Sequence, residues 1–452
     1  MKDDIDYREI FAQLPEKLAW MIQCKTVSSY DAAEEDEGEF ARLKMGLKER
    51  FPLVHAKLRL EEPSYRSLLY TWQGSDPKLE PVILCAHFDV VPPGDEKAWT
   101  HGPFSGDIVD GELWGRGAQD IKVLMACILE TAEKLLEQGF SPKRTLYLAF
   151  GGDEEIGGAR GAKAIGDLLA QRGVHASFLL DEGGPIAVNM LSFVDRPLAL
   201  VGIAEKGYAD VLVTAKGQGG HASMPPQHTA TGNLSRAITA IDRHPAPARL
   251  TKTMRSFLKY LAPYCSQPYR FLFKSAGITA PVILKAFAAA PTTNALVRTT
   301  AACTMLQASP KENVLAEQAQ ANFNVRMLPG DTAQNVLDRF AAQVRPFGAT
   351  VAIKHPEALV ESSAESSTES FGWNALASAL AVSHPDAVCV PFLFSAGTDT
   401  KHYRNVVSDI YRFDAFPQDD AALERVHGDN ERIRIEDLLS CGHFYYELMK
   451  RL

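Results

Sequence analysis

No apolar run in this chain approaches the ~20 residues that a membrane-spanning helix requires. CxxC pairs are absent as well. The seven cysteines stand apart, at positions 24, 85, 127, 265, 303, 389 and 441. Their odd number and apolar settings, such as Cys85 in PVILCAH and Cys127 in LMACILE, argue against a disulfide framework. They fit buried thiols in a reducing cytosol. The N-terminal stretch MKDDIDYREIF lacks the apolar centre of a signal peptide, so a cytoplasmic protein is expected. Positive charge is also scarce: 47 lysines and arginines face 56 acids, a net charge of −9. Without a long basic stripe interleaved with aromatics, neither nucleic acid nor an anionic membrane is an expected partner.

What is present is a globular composition, 46% hydrophobic and 23% charged, over 452 residues. That length exceeds one ordinary core, so two domains are expected. The organising stretch is Thr145–Gly158, TLYLAFGGDEEIGG. A continuous apolar run, Leu146–Phe150, reads as a central strand covered on both faces. A glycine pair turns the backbone, and Asp153, Glu154 and Glu155 follow at the strand's C-terminal end, where open α/β sheets place ligands. Adjacent carboxylates repel one another unless a cation lies among them. In isolation the triplet is better read as a solvated acidic turn.

Two further strands end in the same way. PVILCA runs into His87-Phe88-Asp89, and HASFLL into Asp181-Glu182-Gly183-Gly184. Between the first of these and the organising strand, WGRGAQD ends at Asp120, a residue type that caps helices. A helix with one buried face follows, so residues 81–158 read as a βαβ unit with parallel strands. Three apolar strands terminating in potential ligands point to a metal cluster on one sheet edge. His87, Asp120, Glu155, Asp181 and a late His427 supply two imidazoles and three carboxylates. Two zinc ions about 3.5–4 Å apart could share such a set, and Glu154 would remain free to move a proton. On the residues alone, a purely structural reading stands beside this one.

From about residue 206 the pattern changes. Alternating strands and helices at 207–217, 229–243, 299–308, 317–328, 332–345 and 349–354 give a β-α-β-β-α-β order. Residues 245–291 read as a mostly helical insertion. Before this region, helices are expected at 7–24 and 39–50 and strands near 53–60 and 67–73. After it come a polar linker, ESSAESSTES, a helix at 371–383, a strand near 387–391, the strand DIYRF and a closing helix at 435–450. The fold class is therefore α/β, a mixed, largely parallel sheet sandwiched by helices, with an inserted ferredoxin-like α+β domain. The expected division is 1–205 with 359–452, and 206–358.

The motifs HFDVVP, WGRGAQD, GGDEEIGG, DEGG, GGHASMPP and HGDNE resemble, in that order, the signature of the co-catalytic zinc exopeptidase and aminoacylase family. AEKGY, VRTTAACTML, NVRMLPGDT and GTDTKHY are similar to its branch of carboxypeptidase S and the N-fatty-acyl-amino-acid hydrolases. The resemblance implies a dinuclear zinc hydrolase, with cobalt or manganese as substitutes, acting on small peptides or N-acyl amino acids. It implies His87 and Asp181 on one zinc, Glu155 and His427 on the other, and Asp120 bridging. Asp89 would orient the site, and Glu154 would be general base and acid. The inserted domain would be a lid and dimerisation domain whose His221 reaches the partner's site in a homodimer. Asn294 and Arg326 would bind substrate, with backbone contacts from Gly397 and Thr398. Ile121-Lys122-Val123 and Ser395-Ala396-Gly397 depart from the family's usual residues, which affects pocket shape but removes no ligand. A dipeptidase or a small-acyl deacylase such as acetylornithine deacetylase is the alternative enzyme; a non-catalytic binding protein would require a lost ligand or base.

Overall fold

The computed structural model describes residues 6–452; Met1–Ile5, part of the acidic N-terminal stretch, lie outside the described residues. In chain order the principal strands are β1 (Arg59–Glu61), β2 (Ser67–Trp72), β3 (Val82–His87), β4 (Leu146–Gly151), β5 (Ala176–Ala187) and β6 (Leu198–Glu205). There follow β7 (Gly207–Lys216), β8 (Thr300–Gln307), β9 (Gln318–Met327), β10 (Ala349–Ile353), β11 (Val388–Phe394) and β12 (Val407–Gln418).

The larger sheet has the order β1-β2-β4-β3-β5-β12-β6-β11. Its centre is parallel: β3 pairs with β4 and β5, and β12 with β5. The β1–β2 and β2–β4 pairs are antiparallel, so the sheet is mixed. β3 and β4 are joined by helix Lys122–Glu137, which is buried along nearly its whole length. On that face it packs with the closing helix Ile435–Met449 and the N-terminal helix Leu14–Gln23 in one apolar core. Helix Ala162–Gln171 covers the opposite face with Tyr403 and Val406. Burial on both faces explains why the central strands read as unbroken apolar runs rather than alternating ones.

The second sheet is antiparallel, β8-β9-β7-β10, and packs against helices Ala230–Arg243 and Ala333–Val344 with its own core. This strand order is that of a ferredoxin-like domain. β7 alternates buried and half-exposed residues as its sequence suggests. The helical insertion behaves differently. Leu250, Met254, Phe257 and Leu258 share a core with Leu198, Leu200 and Val390, so the insertion clings to the β6–β11 edge of the larger sheet.

Two local expectations fail. Residues 53–60 do not form a strand: Pro52–Lys57 is helical and only Arg59–Glu61 is extended. Proline suits the first helical turn, and the buried Glu133 carboxylate accepts from the Leu53 and Val54 N–H groups, closing the helix's exposed donors. Asp120 does not cap the next helix either. That helix starts at Lys122 without a side-chain cap, because the Asp120 carboxylate is engaged elsewhere.

Candidate active site

Parallel pairing aligns the ends that carry the chemistry. His87, the last residue of β3, lies in register with Gly151, the last of β4, and the acidic turn follows immediately. Asp120 enters from the crossover, and its peptide bond to Ile121 is cis. His427 arrives from the loop after helix Asp420–Arg425, in the left-handed region at φ 60°.

These side chains form two groups that share one carboxylate. His87 Nε2 lies 3.1 Å from Asp120 Oδ1 and 3.6 Å from Glu182 Oε1. His427 Nε2 lies 2.9 Å from Asp120 Oδ2 and 3.3 Å from Glu155 Oε2. Within each group the candidate ligand atoms fall within 4.8 Å of one another. Asp120 thus presents one oxygen to each imidazole, the arrangement of a carboxylate that bridges two cations.

The structure departs from the expected ligand set at one position. Glu182, not Asp181, completes the group around His87. Successive strand residues point to opposite faces, and Asp181 turns into the buried side, toward the region of Cys85, Asp399 and Tyr403. The register explains which neighbour reaches the site. β12 pairs Arg412 with Asp181 and then Phe413 with Gly184, so Glu182 and Gly183 loop out from the ladder. Among the expected ligands His87, Asp120, Glu155 and His427 are brought together, and Asp181 is not.

Buried neighbours fix these groups. The His87 Nδ1–H points at the Asp89 carbonyl oxygen, 3.0 Å away, which leaves Nε2 facing the cluster. The Asp89 carboxylate accepts from the N–H groups of Glu154 and Glu155 and from Ser28 Oγ. A group that the sequence reading missed holds Asp120. Glu431 Oε1 accepts from the backbone N–H groups of Gly117, Gln119 and Asp120 at 2.7–3.1 Å, and Oε2 pairs with the Arg116 guanidinium at 2.8 Å. Glu431 closes the HGDNE motif, but no spacing in the sequence ties it to a loop more than 300 residues earlier.

The residues fit divalent cations. Burial would raise Asp120, yet hydrogen bonds from His427 and His87 hold it well below the usual carboxylate range. Hydrogen bonds to Asp120 and Glu155 push His427 up to about 10. Burial opposes a charge on His87, but the Glu182 carboxylate and the bonds to Asp120 and Asp89 outweigh it and raise it well above its ordinary value. The two protons lie where two dications would displace them. Glu155 Oε1 is buried without any hydrogen-bond partner, and a cation would satisfy it. Glu154 belongs to neither group. Burial first, and then the charges of Asp399, Glu155 and Asp89, push its carboxyl well above the ordinary range.

A cleft of about 320 Å³ opens onto the cluster, lined by Glu154, Glu182, His427 and the backbone around Gly397 and Thr398. Buried Glu205 anchors that loop, accepting from Thr398 N–H at 3.0 Å and from Thr400 Oγ1 while it pairs with Arg412. The other expected residues are elsewhere. Exposed His221 contacts Ser223 Oγ at 2.7 Å on a strand paired with Val314. Asn294 accepts from Arg298 in a separate cleft of about 140 Å³. Arg326 lies over the Tyr208 ring on β9. Within one chain, none of the three lines the metal-facing cleft.

An aspartate shared by two imidazole–carboxylate groups, at the C-terminal ends of the parallel strands of the larger sheet, fits a metal-dependent hydrolase. Comparison with known proteins agrees. Residues 83–451 match the model of peptidase family M20/M25/M40, and the chain belongs to that family. It is 38% identical over 442 residues to the probable carboxypeptidase S-like 2 of Dictyostelium discoideum, covering 97% of this chain and 85% of that protein. It is 35% identical to the N-fatty-acyl-amino acid synthase/hydrolase PM20D1 of Mus musculus, covering 97% and 87%. Its fold superposes on the M20 metallo-carboxypeptidase Sso-CP2 of Sulfolobus solfataricus with a TM-score of 0.69 at 15% identity, covering 97% of this chain and 98% of that one. The chain is therefore an enzyme of the metallopeptidase class, and the branch expected from its motifs is the one its relatives represent.

Proposed function

We propose that the enzyme hydrolyses the amide bond of an N-acyl amino acid or small peptide beside a free carboxylate, using two zinc ions per chain. The observation that carries this reading is Asp120 shared between the His87–Glu182 and Glu155–His427 groups, with Glu154 left out of both. Cobalt and manganese suit the same nitrogen and oxygen donors. When bound, the cations would lower the pKa of a shared water and polarise the substrate carbonyl.

The chain's own residues do the rest. Glu154 takes a proton from the attacking water as its oxygen bonds to the amide carbon. The C–N bond breaks, Glu154 returns that proton to the departing nitrogen, and a carboxylic acid and an amine result. Asp89 holds the His87 ring and the Glu154 backbone in place. The backbone at Gly397 and Thr398 lines the substrate's side of the cleft.

Residues 206–358 act in this reading as a lid and dimerisation domain. Arg326 presents a planar fork to the substrate carboxylate and Asn294 assists it. His221 reaches the oxyanion in the partner's site of a homodimer, which accounts for its exposed position away from its own cleft. The seven free cysteines, most of them buried, support a cytoplasmic setting. The names of the relatives support acyl amino acids as substrates.

The test is hydrolysis of a panel of long- and short-chain N-acyl amino acids and dipeptides by the metal-loaded protein. The expected result is cleavage of long-chain acyl amino acids that Glu154→Gln abolishes while its metal content stays the same. Cleavage of dipeptides alone would reject the substrate class, and full activity in Glu154→Gln would reject the base.

A further inference from the structure

Charge is not spread evenly along this acidic chain. Between Asp242 and Glu312 the sequence holds no acidic residue and ten lysines or arginines. The structure gathers the centre of this stretch into the helices Lys252–Leu261, Tyr269–Lys274 and Ala276–Phe287. Arg255, Lys259, Arg270 and Lys274 ring a cleft of about 570 Å³ floored by Ala262, Phe273 and Ala276. All four are exposed.

The same helices expose apolar side chains that a soluble surface normally hides. In helix Ala276–Phe287 only Ile283 is buried. Ile278 is 88% exposed, Phe271 62% and Val282 58%, and Tyr264 and Tyr269 of the same segment are also exposed. Ile278, Val282 and Lys285 fall at i, i+4 and i+7, so one helical stripe carries two apolar residues and then a cation.

From this face we infer a docking surface for anionic lipid. Protruding aliphatic and aromatic side chains among lysines and arginines match the chemistry of a bilayer interface, where the apolar groups enter the acyl boundary and the cations meet head-group phosphates. A second copy of the chain suits the face less well. A two-fold interface sets the same patch against itself and would bring these cations together. This inference revises the expectation drawn from net charge, and it stands apart from the choice of substrate, since binding is read without turnover.

The experiment is flotation of the metal-loaded protein with vesicles of phosphatidylglycerol or of phosphatidylcholine. Binding to phosphatidylglycerol should be at least about tenfold stronger and should weaken with added salt. Ile278→Asp with Val282→Asp should reduce it at least about tenfold. Arg270→Gln and Lys274→Gln should each cost roughly fivefold. Hydrolysis of a short, water-soluble substrate and the melting temperature should not change in these variants. Equal binding to both vesicles, or full binding by the Ile278→Asp/Val282→Asp protein, would overturn the inference. A loss of oligomer mass in that variant by light scattering would overturn it too, assigning the face to a second copy.

Discussion

The candidate metal cradle and the residues proposed for the lid are built to different standards. Three of the five candidate ligands are held by a buried neighbour: His87 by Asp89, the Glu155 backbone by Asp89, and Asp120 by Glu431. His221, Asn294 and Arg326 have only local partners, Ser223, Arg298 and the Tyr208 ring. Buried anchoring is thus concentrated around the candidate metal ligands; under the proposed function, the substrate clamp would be assembled by motion or by a partner.

The sharpest way to break this contrast is at the shared carboxylate. Asp120→Ala removes a ligand from both groups, so metal per chain should fall below one by elemental analysis. Turnover should drop on the order of a thousandfold or more. Next is the residue behind it. Glu431→Ala leaves three backbone donors and the Arg116 charge buried without an acceptor. Denaturant unfolding should show a loss of about 3–5 kcal/mol. Metal affinity of the folded fraction should weaken roughly 10–100-fold in competition with a chelator. On the lid side the signature inverts: His221→Ala or Arg326→Ala should lower kcat/KM by about a hundredfold while metal content and melting temperature hold. A loss of metal in either would erase the distinction.

The smallest effect is on pH dependence. Burial pulls His402 down to about 4, and its Nε2 lies 2.9 Å from the Gly157 carbonyl oxygen, beside the cradle. Its folded value lies below the unfolded value of about 6.5. Between those values the unfolded chain therefore binds more protons, and stability rises with pH. The contribution is complete above the upper value and lost as pH falls through about 4. His402→Gln should flatten the melting temperature against pH over that window, with little change in metal content.

Much of this contrast was readable beforehand, for identifiable reasons. β3 and β4 announce themselves as continuous apolar runs because both faces are covered, and parallel pairing then sends His87 and Glu155 to one edge. The choice between Asp181 and Glu182 was not readable. It depends on a ladder irregularity set by β12, a strand more than 200 residues away. Glu431 stood inside a recognised motif, but its acceptors lie in a distant loop that no local spacing reveals. The helix at Pro52–Lys57 depends on the Glu133 carboxylate, a tertiary contact that overrides local strand preference. The basic, acid-free stretch was legible all along, but a net charge of −9 averaged it away.

The place of β12 in the sheet has a consequence for biosynthesis. It lies between β5 and β6, yet it is made after the whole of residues 206–406. His427 and Glu431 follow it. A ribosome that has delivered Asp120 must therefore add about 300 more residues before that aspartate meets its anchor. Until then β5 and β6 meet only where Ile186 and Ala187 pair with Ala199 and Leu198, and the rest of their facing edges lacks a partner, the kind of surface on which nascent chains aggregate. The Asp120–Glu155–His427 group is accordingly completed late, after synthesis of β12, whereas the His87–Asp120–Glu182 group draws only on the first 182 residues.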